Sequence, residues 1–217
     1  MPLALFDLDY TLLAGDSDHA WGEFMVEHGL VDGPTYRAAN DHYFAQYQAG
    51  TLNIQEYLAF ALAPLARLDR ATLDDLHARF MRERIHPMIA PGTRRLLEQH
   101  RARGDVLVII TATNRFVTGP IAAALGVEHL LATDPEERDG RYTGRVAGIP
   151  CYREGKVARL EEWLRANHHD MKGSSCYSDS HNDLPLLQLA EHPVAVDPDP
   201  ILAREALARG WPVISLR

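Results

Sequence analysis

The 217 residues carry 22 Lys and Arg against 30 Asp and Glu, a formal net charge of −8, which argues against a nucleic-acid backbone or an anionic membrane as partner. Two cysteines, Cys151 and Cys176, without metal-type spacing argue against a disulfide framework and suit a reducing cytoplasm. A hydrophobic content of 46% is enough for one core and a smaller accessory domain.

The first apolar run, Leu3–Phe6, is cut by Asp7 and has no basic leader, so it reads as a strand and not as a signal peptide. It leads into Asp7-Leu8-Asp9-Tyr10-Thr11. Two carboxylates one residue apart in extended chain can flank a metal, one attacking phosphorus and the other moving protons. Taken alone, an Asp-x-Asp pair is a weak signal that also fits a capped turn.

From Asp18 to Ile85 apolar residues recur at helical spacing, as in Trp21, Phe24, Met25 and Leu58, Leu62, Leu65, with no convincing strand. This predicts a helical insertion over 16–87, placed between core segments 1–15 and 88–217. Its junctions are expected near Leu12–Gly15 and Pro87–Gly92, where Gly and Pro cluster, and Trp21, Phe24 and Met25 are expected in its core.

Further along, Val106–Ile110, Leu130–Ala132, Ser175–Tyr177, Pro193–Val196 and Val213–Ser215 read as buried parallel strands. Even the strongly apolar Val106–Ile110 run is far too short to span a bilayer. Helical stripes lie between strands: Leu96 and Leu97 after Pro91-Gly92-Thr93, then Val157, Leu160, Leu164, then Leu184, Leu187, Ala190. Arg138-Asp139-Gly140-Arg141 marks a hairpin turn. The alternation predicts an α/β fold with an open, doubly wound, Rossmann-like parallel sheet and an inserted all-helical cap.

Three more segments follow predicted strands. Thr111 can donate a hydroxyl to phosphoryl oxygens; alone it reads as a helix N-cap, a role open also to Thr113 or Asn114. Lys156, in Arg153-Glu154-Gly155-Lys156, can neutralise phosphate charge; alone it reads as a solvated surface lysine. Ser178-Asp179-Ser180-His181-Asn182-Asp183 offers Asp179 to a hard cation, with Asn182 and Asp183 in a first helical turn where capping is the plainer role. The 11 histidines are scattered without an i, i+4 pair and a third ligand, so zinc is not expected.

Together, the order, strand-end placement and residue types of these four segments resemble the haloacid dehalogenase superfamily of phosphatases. The segment Arg138–Gly144, with Asp183-Leu184-Pro185 and a helical cap after the first motif, resembles its phosphoserine-phosphatase-like branch. The resemblance implies one Mg2+ ion held by Asp7, the Asp9 carbonyl and Asp179, with Asp183 orienting the metal shell. It implies Asp7 as nucleophile, through an aspartyl phosphate, and Asp9 as general acid/base. Phosphate would be bound by Thr111, Lys156 and Asn182. A phosphoryl transferase or mutase, or an inactive binding module, is the alternative; Asp9 and Thr11 favour hydrolysis.

The expected substrate is a small phosphorylated metabolite bearing an amine. Asp16 takes the place of the branch's amine-pairing acid, with Asp18 and Glu23 nearby. Where the branch carries a carboxylate-pairing arginine this chain reads Ala59-Phe60-Ala61, with Arg37 or Arg67 left as substitutes. That favours histidinol phosphate slightly over phosphoserine, with Tyr43, Tyr47 or Tyr57 packing on its imidazole.

Overall fold

In a computed structural model describing all 217 residues, seven strands form one sheet. They are Leu3–Phe6 (β1), Val106–Asn114 (β2), His129–Arg138 (β3), Arg141–Ala147 (β4), Ser175–Ser178 (β5), His192–Val196 (β6) and Val213–Ile214 (β7). The order is β4-β3-β2-β1-β5-β6-β7, parallel throughout except for β3 with β4. The order runs outward in both directions from β1, leaving a crevice beyond the C-terminal ends of β1 and β5. All four residues of β1 are buried: Leu3 and Leu5 face one apolar cluster, Ala4 and Phe6 the other. This is why the run does not alternate with polar residues.

Helices Ser17–Glu27 (α1), Gly33–Gln48 (α2), Ile54–Leu62 (α3), Arg70–Phe80 (α4), the short His86–Met88 (α5) and Thr93–Arg103 (α6) all lie between β1 and β2. Arg115–Ala124 (α7), Glu154–Asn167 (α8), Leu184–Leu187 (α9) and Pro200–Arg209 (α10) follow later strands. No helix is long and apolar enough to cross a membrane.

Some elements depart from the sequence reading in extent. β2 runs on through Thr111 to Asn114, because Asn114 still pairs with Thr133 after an irregularity beyond Ile110. β3 is likewise longer than its apolar run and ends at Asp139-Gly140, with φ of 51° and 74°, the left-handed pair that a tight hairpin requires. Ala190 falls outside α9, which gives way after Leu187 to turns closed by Leu189 and Ala190 N–H groups on Leu186 and Leu187 carbonyls.

The helices between 17 and 88 are not equally attached. Trp21 of α1 packs on Phe116 of α7 and on Phe80 of α4, each at 5.2 Å between ring centroids, and His77 bonds the Val117 carbonyl at 2.9 Å. One apolar cluster thus runs from Phe6 through Phe116 to Trp21, Phe24 and Leu58. By contrast α2 fully buries only Asn40. The segments flanking these helices lie side by side: Leu13 bridges Ile89, Ala14 N–H donates to Met88 at 2.7 Å, and Ala90 N–H to Leu12 at 3.1 Å.

Candidate active site

Beyond β1 the chain makes a wide turn in which Leu13 N–H reaches the Leu8 carbonyl at 3.0 Å. Inside it Asp9 stays extended (φ −73°, ψ 135°) and Tyr10 takes φ 56°. The irregular path lets Asp7 and Asp9, both buried, stand at the sheet's C-terminal edge.

Lys156, in the first turn of α8, is 1% exposed, far from the solvated lysine that its local sequence suggests. Its Nζ donates to Asp7 Oδ1 at 2.7 Å and to Asp183 Oδ2 at 2.8 Å. Burial alone would lower its pKa, but the Asp183 and Asp7 carboxylates hold it above the usual lysine value. Asp183 also accepts the Ser178 hydroxyl at 2.7 Å. Thr11 ties Asp7 to Asp179: its hydroxyl lies 3.5 Å from Asp7 Oδ2 and 3.3 Å from Asp179 Oδ1, and accepts the Asp179 N–H at 3.0 Å.

Asp9 accepts the Ser17 N–H at 2.6 Å and the Thr113 hydroxyl at 2.8 Å. Burial, reinforced by the Asp16 charge, pushes its carboxyl up to about 7. Thr111 is buried, with its Oγ1 accepting the Thr113 N–H at 3.2 Å. The N-cap of α7 is Asn114, which accepts the Val117 N–H at 3.2 Å.

A cavity opens above Asp7 and Asp9. Asp16, Asp18, Thr111 and Thr113 line it, and α2 and α3 roof it with Tyr43, Phe44, Tyr47 and Tyr57. No arginine or lysine is on this lining. Arg37 pairs with Glu23 at the surface at 2.9 Å, and Arg67 lines a separate groove beside Tyr36 and Phe60. Phe60 stacks on Tyr36, with ring centroids 4.4 Å apart.

The structure therefore gathers Asp7, Asp9, Asp16 and Thr111 around one cavity, with Lys156, Asp179 and Asp183 alongside Asp7. Asn182 stands apart from the lining: its Nδ2 donates to the Tyr47 carbonyl at 3.1 Å, and its Oδ1 accepts from Tyr152 at 3.2 Å and Arg153 at 3.0 Å. Sequence reasoning missed Thr113 and Ser178 as partners of Asp9 and Asp183, and Phe44 and Asn40 on the lining. Asn40, Tyr43, Phe44 and Tyr47 follow i, i+3, i+4, i+7 spacing, a signal that was available.

Asp7, Asp179 and Asp183 are three buried or nearly buried carboxylates served by one ammonium, Lys156. Burial, then repulsion from Asp7 and Asp183, raises Asp179 well above the usual carboxylate range. All-oxygen donors with surplus negative charge fit Mg2+. A second group, His19 with Glu23 and Asp41, is partly exposed, with Asp41 on His19 and Arg37 on Glu23.

A model of the haloacid dehalogenase-like hydrolases matches residues 4–188. A Neisseria meningitidis serogroup C protein named histidinol-phosphatase is 43% identical over 219 residues, 99% of each chain. A Mycobacterium tuberculosis protein named as a phosphoserine phosphatase is 31% identical across 99% of this chain and 70% of its own. Among solved structures, a Bordetella pertussis Tohama I protein of unknown function matches with TM-score 0.94 and 45% identity, over 100% of this chain and 99% of that one. A phospho-aspartyl intermediate analogue of phosphoserine phosphatase shares the fold at TM-score 0.70 and 20% identity, over 100% and 93%. The chain belongs to the haloacid dehalogenase-like hydrolases. Its relatives put it with the phosphatases of that family.

Proposed function

We propose that this phosphatase hydrolyses a small amine-bearing phosphomonoester, with histidinol phosphate ahead of phosphoserine. The observation that carries the reading is the cavity lining, with Asp16 and Asp18, four aromatic rings and no arginine or lysine. A substrate carboxylate would meet no cation there and lose roughly 2–5 kcal/mol. An ammonium would meet Asp16, and an imidazole would meet tyrosine faces. The 43% identical relative bears the matching name.

In this reading Asp7 attacks phosphorus through a carboxylate oxygen; burial raises its carboxyl to about 7, and the Lys156 ammonium at 2.7 Å works against that rise in favour of the ionised form. The P–O bond to the alcohol breaks, and Asp9, whose carboxyl burial raises to about 7, gives a proton from its protonated form to the leaving oxygen. Asp9 then takes a proton from the water that attacks the aspartyl phosphate, releasing phosphate and restoring Asp7. Thr111 donates to a phosphoryl oxygen. Asp7, Asp179 and the Asp9 carbonyl would hold Mg2+, with Asp183 orienting that shell. Bound Mg2+ supplies positive charge against the phosphoryl oxygens. The helical segment 16–87 serves as a cap over core segments 1–15 and 88–217, and the buried free thiols of Cys151 and Cys176 suit the cytosol.

The test is kcat/KM for histidinol phosphate and phosphoserine on one preparation, with Mg2+ and with EDTA. Histidinol phosphate is expected to lead, and EDTA to stop both. A clear preference for phosphoserine overturns the substrate assignment; full activity in EDTA overturns the metal.

A further inference from the structure

The start of α1 directs two carboxylates into the same cavity, and they are held differently. Asp16 is the N-cap: its Oδ1 accepts the N–H groups of Asp18 at 2.9 Å and His19 at 2.8 Å. Asp18 is 8% exposed. Its Oδ2 accepts the Tyr57 hydroxyl at 2.6 Å, from α3, and its Oδ1 faces the Asn114 amide at 3.3 Å, from the end of β2. Two elements far apart in sequence thus fix its orientation. The lining has no arginine or lysine; its one histidine, His19, lies close enough to favour the charged form of both, but burial outweighs it and its Nε2 turns to Asp41 at 2.9 Å.

A buried carboxylate without counter-charge is costly, and two in one cavity repel each other as well. Burial pushes Asp18 up to about 7 and Asp16 to about 6. A ligand with a single ammonium neutralises only one of them. The walls beside Asp18 are aromatic, with Tyr43 and Tyr57 edge to face at 5.5 Å, which suits a flat ring bearing N–H.

We infer that Asp18 is a specificity-determining residue that receives a second basic nitrogen of the substrate, so that the cavity selects phosphomonoesters with two nitrogen groups over those with one. This rests on the phosphatase reading above and on Asp16 receiving the first amine. It adds a residue and a rule: the ester must carry an amine and a further nitrogen donor, as an imidazole ring provides.

The experiment compares kcat/KM for histidinol phosphate (two basic nitrogens), phosphoethanolamine (one) and p-nitrophenyl phosphate (none). Wild type is expected to follow that order. Asp18→Asn should cut the ratio of the first to the second by roughly 10–100-fold, the span of a charged hydrogen bond, mainly through KM. Tyr57→Phe removes the hydroxyl that orients Asp18 and should cut the ratio by roughly 3–10-fold. An Asp18→Asn loss equal on both esters, or an unaltered ratio, overturns the inference. So does a wild type that prefers phosphoethanolamine, although the phosphatase reading then stands. Turnover of none of the three compounds sinks both. Should a thermal melt show Asp18→Asn unfolded, the Tyr57→Phe ratio decides alone.

Discussion

The side-chain amide of Asn182 donates to the backbone carbonyl of Tyr47 at 3.1 Å, joining the segment after β5 to the end of α2. Arg153 reinforces the contact, bonding Asn182 Oδ1 at 3.0 Å and the Gly50 carbonyl at 2.5 Å. A Cβ on Gly50, which has φ 67°, would come within 2.6 Å of His181 Nε2, so the chain after α2 sits tightly on the core. Because α2 otherwise buries only Asn40, these bonds hold the roof of the cavity.

Asn182→Ala is therefore expected to speed amide exchange over residues 43–57 and to raise KM by roughly 3–10-fold, with a smaller effect on kcat. A phosphate-binding role would show instead as a loss in kcat with unchanged exchange. Hydrogen exchange and steady-state kinetics on the same variant separate the two.

Arg153 has φ 50° and ψ −118°, a region natural to glycine, at the first central position of a turn closed by Gly155 N–H on the Tyr152 carbonyl at 2.8 Å. Such a torsion costs on the order of 1–3 kcal/mol. Arg153→Gly should be about 1 kcal/mol more stable than Arg153→Ala, since only glycine removes the strain. Both should lose activity, because both lose the bonds to Asn182 and Gly50. Equal melting temperatures for the two variants would show that the torsion stores nothing.

Lys156→Met should leave Asp7 and Asp183 buried without their ammonium, costing roughly 3–5 kcal/mol. Adding Asp183→Asn should restore part of that stability but no activity. Urea titration of the single and double variants checks the coupling; strict additivity would mean that the pair at 2.8 Å contributes nothing.

The sheet was legible because its central strands β1 and β2 carry continuous apolar runs, and the site because its motifs stand at the ends of strands. Asp7 and Lys156 are 149 residues apart, so no periodicity joins them; only strand-end placement does. Residues that act through neighbours left weaker traces. Thr113 read as a helix cap because the sequence does not show β2 extending past Ile110. Asn182 has a backbone carbonyl of a segment distant in sequence as its partner, and any residue at position 47 offers one. The roof was readable in part: the tyrosines stood out by type, while Phe44 and Asn40 needed the helical phase of α2.

Stability should depend on pH through the cavity acids. Burial raises Asp9 and Asp18 to about 7 and Asp16 to about 6, from an ordinary 3.8. For an acid raised in the folded state, folding favours the protonated form. The stabilisation is full below the unfolded value and is lost as pH rises through the folded one. Without metal or substrate, these groups make the protein less stable at pH 8 than at pH 5. Asp18→Asn keeps the shape and removes one charge, so it should stabilise the protein at pH 8 by roughly 1–3 kcal/mol and change little near pH 4. The difference between wild type and variant isolates Asp18 from the histidines, which titrate in both. Urea unfolding in EDTA at the two pH values is the measurement. A variant less stable than wild type at pH 8 would mean that the Tyr57 and Asn114 bonds outweigh the burial of the charge. The predicted outcome is the usual exchange between stability and function: the residue that selects the substrate is one the empty fold is better off without.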